Sequence, residues 1–173
     1  MVAVQATIIL ILKKRGLDNY IAYHGIDIAD KNVYNCKLFF PEAEFSVGNI
    51  YELNFPESSF DIVLVSHVFE HLSPENLSQA FKEVIRVARS QAIINFFNEK
   101  DIMDHIVERR SLYYWNTLSR RKIKNIIKNK IRDLDITDIY PGFAKKFEIA
   151  GAYGPESYSS WVLSLDQKQS SHI

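Results

Sequence analysis

The stretch GNIYELNFPESSFDIVLVSHVFEHL, residues 48–72, decides the fold and carries the candidate site. Its central part, Phe60 to Ser66 (FDIVLVS), is a short apolar run rich in β-branched residues that follows the turn-forming segment Pro56-Glu57-Ser58-Ser59. Such a run predicts a strand buried on both faces, as in the parallel sheets of α/β proteins. Polar side chains at the carboxyl ends of these strands are the first candidates for a functional site. Here they are Ser66, His67, Glu70 and His71.

The residues that follow predict a helix and a second buried strand. Ser73-Pro74-Glu75 has the hydroxyl, the proline and the carboxylate that are typical of a helix start. Gln91 to Phe97 (QAIINFF) predicts the strand, so that residues 60–97 form one right-handed strand–helix–strand unit. The apolar face of the helix recurs at helical spacing and comprises Leu77, Ala80, Phe81, Val84, Ile85 and Ala88.

Towards the N-terminus, Ala6 to Leu12 is compatible with a helix or a strand. If it were a strand parallel to Ile21 to Asp27, only residues 13–20 would connect the two, and a parallel crossover needs about a dozen residues. We therefore predict a helix that ends at Gly16. The next elements are a strand over Ile21 to Ile28, a short helix over residues 30–40 and a short strand over residues 45–48.

The C-terminal half predicts two helices and two strands. Asp101 to Arg110 is expected to be helical, and a second helix begins near Ser119. Lys146 to Tyr153 and Ser160 to Leu165 predict two strands around the Gly154-Pro155 turn. The second helix has a basic face, which is either a solvated surface or a site for an anionic substrate or partner, and it comprises Arg120, Arg121, Lys122, Lys124, Lys128, Lys130 and Arg132.

Composition limits the classes of function. The 21 basic and 21 acidic residues balance, which argues against a globally cationic protein that binds nucleic acid. The single cysteine, Cys36, cannot form an intramolecular disulfide and favours a reducing compartment, so we expect a cytoplasmic location. The longest apolar stretch, Val2 to Leu12, is shorter than the roughly 20 residues that span a bilayer, so we expect no stable membrane insertion. We predict one domain over residues 1–166 and a tail over residues 167–173.

The Gly48-Asn49 step, the LNFPESSFD run, the apolar strand and Glu70-His71-Leu72 together resemble the small single-domain class I S-adenosylmethionine (SAM) dependent methyltransferases of the type 11 group. Tyr23 to Asp27 (YHGID) resembles the acidic end of that family's second strand, and Trp161 to Leu165 (WVLSL) resembles its terminal strand. The resemblance implies an α/β fold, a three-layer Rossmann-like sandwich with a mostly parallel sheet and a C-terminal antiparallel hairpin. It also implies SAM as the cofactor.

One part of the family pattern is absent from this sequence. The family's first strand and its glycine-rich cofactor loop should precede Asp27 by roughly 20 residues. We therefore expect the first strand to be missing, the chain to start within the fold, and this polypeptide to be poorly stable and to bind SAM weakly or not at all. The six glycines, none of which forms such a loop, are Gly16, Gly25, Gly48, Gly142, Gly151 and Gly154.

The resemblance also implies a set of cofactor-binding residues. It assigns to Asp27 the acceptance of hydrogen bonds from the ribose hydroxyls, and the alternative is a strand-end aspartate that turns the chain. Asn49 stands where the family usually has an aspartate that accepts from the adenine amino group, and the alternative is an Asx-turn. Ile50 would offer its backbone N–H and its side chain to the ring. The full set is Asp27, Ile28, Asn49, Ile50, Ser66 and His67.

His67 and His71 are the candidate catalytic residues, because a neutral imidazole beside the reactive centre can take a proton from an oxygen or nitrogen nucleophile. The alternative is that His71 serves packing and capping. These residues also form the H-x-x-E-H pattern of zinc hydrolases, with Glu70 activating water. That motif requires a helix, and the sequence predicts a strand end and a loop here, so we expect no metal site.

The expected acceptor is a small molecule or a lipid-like compound, because nothing in the sequence resembles a module that reads bases or docks peptides. Tyr113, Tyr114 and Trp115 are candidates for contacts with the acceptor, and core packing is the alternative. The missing glycine loop keeps a third class open, in which the chain is a non-catalytic remnant or a module that binds a partner.

Overall fold

The computed structural model describes residues 2–3, 6–130, 134–138 and 159–165. Two single-turn 3₁₀ helices, Phe69–His71 and Pro74–Asn76, follow the strand Phe60–Ser66. None of the helices in the described part has the length and apolar character needed to cross a membrane. The other elements are β1 (Val2–Ala3), α1 (Ala6–Lys14), β2 (His24–Asp27), α2 (Asp30–Phe39), β3 (Glu44–Val47), β4 (Phe60–Ser66), α3 (Leu77–Val87), β5 (Ala88–Phe96), β6 (Glu99–Lys100), β7 (Leu118–Ser119), α4 (Arg120–Lys130), β8 (Leu134–Asp138) and β9 (Ser159–Leu165).

The strands form two main sheets. One has the order β1-β2-β3 with all pairs parallel, and the other has the order β4-β5-β9-β8. In the second sheet β4 and β5 are parallel, whereas β9 is antiparallel to both of its neighbours. This confirms the α/β class, the mostly parallel sheet and the C-terminal antiparallel hairpin. The strand that pairs with β9 is Leu134–Asp138, however, and the predicted strand over residues 146–153 lies outside the described residues.

The prediction that the first strand is missing needs a correction. Val2 pairs with Gly25 and Ala3 pairs with Ile26, so a two-residue parallel strand occupies that position. This β1 lies beside β4, but within the described residues no ladder joins the two strands. Two residues are too few for a sequence pattern to reveal a strand. The connection from β1 to α1 is Val4-Gln5, so the glycine-rich loop is absent from the sequence at this place.

The helix prediction for the first apolar segment is confirmed. Helix α1 ends in a Schellman motif, in which the N–H of Gly16 donates to the carbonyl of Lys13 and the N–H of Leu17 donates to that of Leu12. Gly16 has a φ of 65°, the left-handed conformation that glycine adopts without a steric penalty.

Helices α3 and α4 cover one face of the β4-β5-β9 sheet and form the main core with it. The prediction that β4 is buried on both faces is wrong for the first residues of the strand and holds only towards its carboxyl end, where Ser66 is buried. Val63 and Val65 are buried, whereas Ile62 is 50% exposed because none of the described helices covers its face. The buried residues that the strands contribute to the core are Val63, Val65, Ala92, Ile94, Trp161 and Leu163.

Two predicted elements differ in the structure. Ala88 is the first residue of β5 and pairs with Phe60, so it does not belong to the helix. Residues 101–110 are not helical, because Ile106 bridges Thr117 and Arg109 bridges Tyr114 in antiparallel pairs. These bridges define the 106–117 hairpin. Its backbone N–H and carbonyl groups form hydrogen bonds with the opposite arm of the hairpin instead of the bonds of a helix.

Candidate functional site

A cavity of about 330 Å³ opens at the carboxyl ends of β2 and β4. The structure places all seven residues of the predicted site in its lining, namely Asp27, Ile28, Asn49, Ile50, Ser66, His67 and His71. Sequence reasoning missed the rest of the lining, which is mainly apolar and comprises Ile26, Gly48, Tyr51, Leu53, Val65, Val68 and Leu72. At Gly48 a Cβ atom would lie 2.6 Å from Cγ2 of Ile26, so this position requires glycine for a close approach of the backbone.

Asp27 ends β2, and the structure shows the chain-turning role that was the alternative to ribose binding. Its Oδ1 accepts a hydrogen bond from the N–H of Ala29 at 2.8 Å, so the carboxylate turns the chain into α2. A carboxylate offers about four lone-pair positions, and one bond leaves acceptor capacity for the hydroxyls of a ligand. Asp27 therefore stabilises the turn and remains available to the cavity.

Asn49 forms the Asx-turn that was the alternative to adenine binding. Its Oδ1 accepts a hydrogen bond from the N–H of Tyr51 at 3.0 Å. The second lone pair of Oδ1 and the Nδ2 donors are not used by this turn. Ile28, which is 72% exposed, and Ile50 provide apolar surface beside these polar groups.

The loop that follows Asn49 is held against α3 by a partly buried ion pair between Glu83 and Arg86. Glu83 accepts a hydrogen bond from the N–H of Leu53 at 2.9 Å, and Arg86 donates to the carbonyls of Leu53 and Phe55 at 2.8 and 2.7 Å. The pKa of Glu83 is lowered, chiefly by its hydrogen bond to Arg86. This pair fixes the cavity wall, and only the three-residue spacing of the two charges on one helix could have suggested it.

His67 follows β4 in an unusual conformation. Its φ is 56°, and its N–H donates to the carbonyl of Asn95 at 2.9 Å, which ties the loop to β5. The ring makes an edge contact with Phe97, with 5.5 Å between centroids. Burial, and secondly the nearby His71, lower the pKa of His67, so its ring stays neutral at neutral pH.

His71 has a defined tautomer. Its Nδ1 lies 3.0 Å from the carbonyl oxygen of Tyr114, and because a carbonyl only accepts, Nδ1 carries the proton and Nε2 of the neutral ring is the acceptor. The ring is surrounded by an aromatic cluster (Phe97, Tyr113 and Trp115) with centroid distances of 5.2 to 5.5 Å. His71 is therefore held in place by one hydrogen bond and three ring contacts.

Glu70 is fully buried and joins the turn before α3 to the end of β5. Its Oε1 accepts hydrogen bonds from the N–H groups of Phe97 and Asn98, at 2.6 and 3.3 Å. Its backbone carbonyl accepts from the N–H of Asn116 at 2.9 Å. Burial is the main cause that raises the pKa of Glu70 from 4.5 to about 7. The sequence indicated Glu70 as a polar residue after β4 and as part of the H-x-x-E-H pattern, but not as an acceptor for the N–H groups of Phe97 and Asn98, so this role was missed.

The geometry does not support the zinc-hydrolase alternative. His67 lies in a loop, and Glu70 and His71 belong to a single 3₁₀ turn instead of a continuous helix. The carboxylate of Glu70 is bound to backbone N–H groups. In the part of the chain that the structure describes, no group of three or more histidine, cysteine, aspartate or glutamate side chains is arranged to hold a metal ion.

A cavity at the carboxyl ends of parallel strands, with a carboxylate at the end of one strand, is the arrangement in which Rossmann-like α/β proteins bind nucleotide-type cofactors. A family model described as a methyltransferase domain matches residues 6–96, more than half of the 173-residue chain. The chain therefore belongs to this methyltransferase family, and by that membership it is a class I SAM-dependent methyltransferase.

Solved structures share the fold at low sequence identity. The PH0226 protein from Pyrococcus horikoshii is 19% identical with a TM-score of 0.65, and the match covers 96% of this chain and 80% of that protein. A SAM-dependent methyltransferase from Methanosarcina mazei is 15% identical with a TM-score of 0.62 and coverages of 87% and 85%. The 1,6-didemethyltoxoflavin-N1-methyltransferase from Burkholderia thailandensis is 10% identical with a TM-score of 0.61 and coverages of 90% and 66%.

The residues present fit the nucleoside half of SAM. The acceptor capacity of Asp27 suits the two ribose hydroxyls, and Asn49 with the apolar Ile28 and Ile50 suits adenine. The sequence offers no comparable fit for the methionine half of SAM. The Val4-Gln5 connection contains no glycine that would let backbone N–H groups approach that half of the cofactor.

Proposed function

We propose that this protein transfers the methyl group of SAM to an oxygen or nitrogen atom of a small-molecule or lipid-like acceptor, with His71 as the general base. The observation that carries the proposal is the tautomer of His71 at the cavity. Its Nδ1–H is bound to the carbonyl of Tyr114, so the ring presents Nε2 as a proton acceptor.

Five residues of the cavity lining have a task in this proposed mechanism. Asp27 and Asn49 orient the nucleoside, and Ile28 and Ile50 exclude water from its ring. The cofactor supplies an activated methyl group when it is bound. Nε2 of His71 takes up the proton that the acceptor atom loses as it gains the methyl group. The carbonyl of Tyr114 then stabilises the imidazolium through its hydrogen bond to Nδ1–H.

The surroundings of His71 support the proposed class of acceptor. The aromatic cluster borders the histidine and offers an apolar surface, which suits an acceptor that is itself partly apolar. One structure with the same fold contains a bound small molecule, 1,6-didemethyltoxoflavin, together with S-adenosylhomocysteine (SAH). Both observations support a small or lipid-like acceptor, and Trp115 is the candidate contact residue.

A non-catalytic module is the second candidate. The observation that favours it is the two-residue Val4-Gln5 connection, which has no glycine to approach the methionine half of the cofactor. A chain of this kind would keep the fold and lose turnover.

The test of the proposed function is transfer of a radiolabelled methyl group. The 173-residue chain is incubated with methyl-labelled SAM and with separate small-molecule and lipid fractions of a cell extract. Label in either fraction supports the proposal, provided that Asp27→Ala lowers the labelling by about ten-fold at a subsaturating concentration of SAM. Absence of label with intact SAH binding, measured by calorimetry, would count against the proposal and favour the non-catalytic alternative.

Cofactor contacts lead to a prediction for ligand binding. We expect adenosine and SAH to bind this chain with affinities within about three-fold, since only the nucleoside half has suitable partners, and both to lose about ten-fold in Asp27→Ala. Calorimetry gives the dissociation constants. Asp30→Ala, which removes an exposed carboxylate from the first turn of α2, is the matched control and should bind both ligands normally. Tenfold tighter binding of SAH than of adenosine would show that the methionine half is held.

A further inference from the structure

The 106–117 hairpin carries apolar side chains that the fold leaves in solvent. Its turn is closed by the N–H of Arg110, which donates to the carbonyl of Tyr113 at 2.8 Å. Leu112 at the tip is 95% exposed, and Ile106 and Val107 are each more than half exposed. Leucine at the tip of a hairpin has no packing role in the described structure, so this surface is suited to an apolar environment outside the molecule.

The region around the hairpin is also the basic part of the chain. Residues 99–129 contain eight basic and four acidic side chains, a net charge of +4, whereas the whole chain has a net charge of zero. Arg109 is exposed near the tip, and Arg121 at the start of α4 donates to the sulfur of Met103, another exposed apolar residue. Basic and apolar side chains are therefore interspersed on this side of the protein.

We propose that the 106–117 hairpin docks the protein onto an anionic membrane surface. The exposed apolar side chains would enter the headgroup region, and Arg109 and Arg121 would bind lipid phosphates and carboxylates. Tyr113 has the amphipathic ring that suits the interface. An anionic bilayer matches both the apolar tip and the local positive charge, whereas an acidic protein would match the charge alone.

The hairpin also connects the surface to the cavity. Tyr113 contacts the ring of His71 at 5.5 Å, and His71 lines the cavity. Docking through Leu112 would thus bring the cavity near the membrane surface. Vesicle binding needs neither cofactor nor acceptor, so its outcome is independent of the proposed methyl transfer.

The test is cosedimentation of the chain with vesicles of phosphatidylcholine alone and of phosphatidylcholine with phosphatidylserine. We expect binding only to the anionic vesicles, weakened by added salt. Leu112→Ser should weaken it about ten-fold and Arg109→Glu at least about five-fold. The controls are Leu38→Ser, which changes a leucine of α2 that is 61% exposed, and Lys37→Glu on the same helix. Both should bind like the wild type, and unchanged thermal melting shows that all variants fold.

Two results would overturn the assignment. If the wild-type chain did not bind anionic vesicles, membrane docking would be excluded. The same result is expected if the hairpin binds a protein instead of a membrane. Equal weakening by Leu38→Ser and Leu112→Ser would show that binding does not use the hairpin.

Discussion

Glu70→Ala is expected to lower the free energy of unfolding at pH 5 by on the order of 4 kcal/mol. The change removes the acceptor of the N–H groups of Phe97 and Asn98 and leaves a cavity at a side chain that is fully buried. Denaturation with urea measures the loss. Glu70→Gln is the control, because its amide oxygen keeps the acceptor position, and its free energy of unfolding at pH 5 should lie within about 1 kcal/mol of the wild type.

Comparison of the wild type with Glu70→Gln also tests the titration of Glu70. Its pKa in the folded state is raised from 4.5 to about 7, so the folded state binds the proton more tightly than the unfolded state. The stabilisation from this proton is present below pH 4.5 and is lost as the pH rises through 7. Wild type should therefore lose on the order of 3 kcal/mol relative to Glu70→Gln between pH 5 and pH 8. A difference between the two proteins that does not change with pH would contradict the assignment.

Glu70 is also the reason that the site and the core are coupled. It lies next to His71 in the 3₁₀ turn, and its side chain fixes the backbone after β5, where Phe97 begins the aromatic cluster. Asn116 reinforces the same junction by donating to the carbonyls of Glu70 and Leu72. A change at Glu70 would therefore move the ring contacts of His71 as well as lower stability.

The elements that the sequence predicted well are those with local signals. The apolar face of α3 recurs at helical spacing, and β4 is a β-branched run between a turn and a loop, so both are defined by neighbours in the chain. The grouping of Asp27, Asn49 and Ser66 was likewise predictable, because each follows or ends a parallel strand and such ends meet at one edge of a sheet.

The features that the sequence did not predict depend on partners far along the chain. Residues 101–110 were predicted to be helical because the antiparallel bridges of the 106–117 hairpin have no signature within that segment. The two-residue β1 exists only through its pairing with β2. The role of Glu70 depends on N–H groups 27 and 28 residues away. In each case the stabilising contact is non-local, so no periodicity or turn residue records it.

His71→Gln is expected to lower the turnover number for methyl transfer by about 100-fold or more, with SAH affinity unchanged. The glutamine side chain can still donate to the carbonyl of Tyr114, but it cannot accept a proton from the acceptor as Nε2 does. Initial rates with labelled SAM, measured once an acceptor fraction has been found, give the turnover number. Binding calorimetry with SAH shows that the cavity is intact.

Two further variants make this result specific. His24→Gln changes a histidine at the start of β2, away from the cavity lining, and should keep the wild-type rate. His67→Asn keeps a residue type that tolerates a positive φ and should lower the rate less than His71→Gln, because the proposed base is His71, whose imidazolium is stabilised by the carbonyl of Tyr114. If His71→Gln kept full turnover, we would conclude that His71 packs within the aromatic cluster and is not the base. If only His67→Asn lowered the turnover number, we would assign the base to His67.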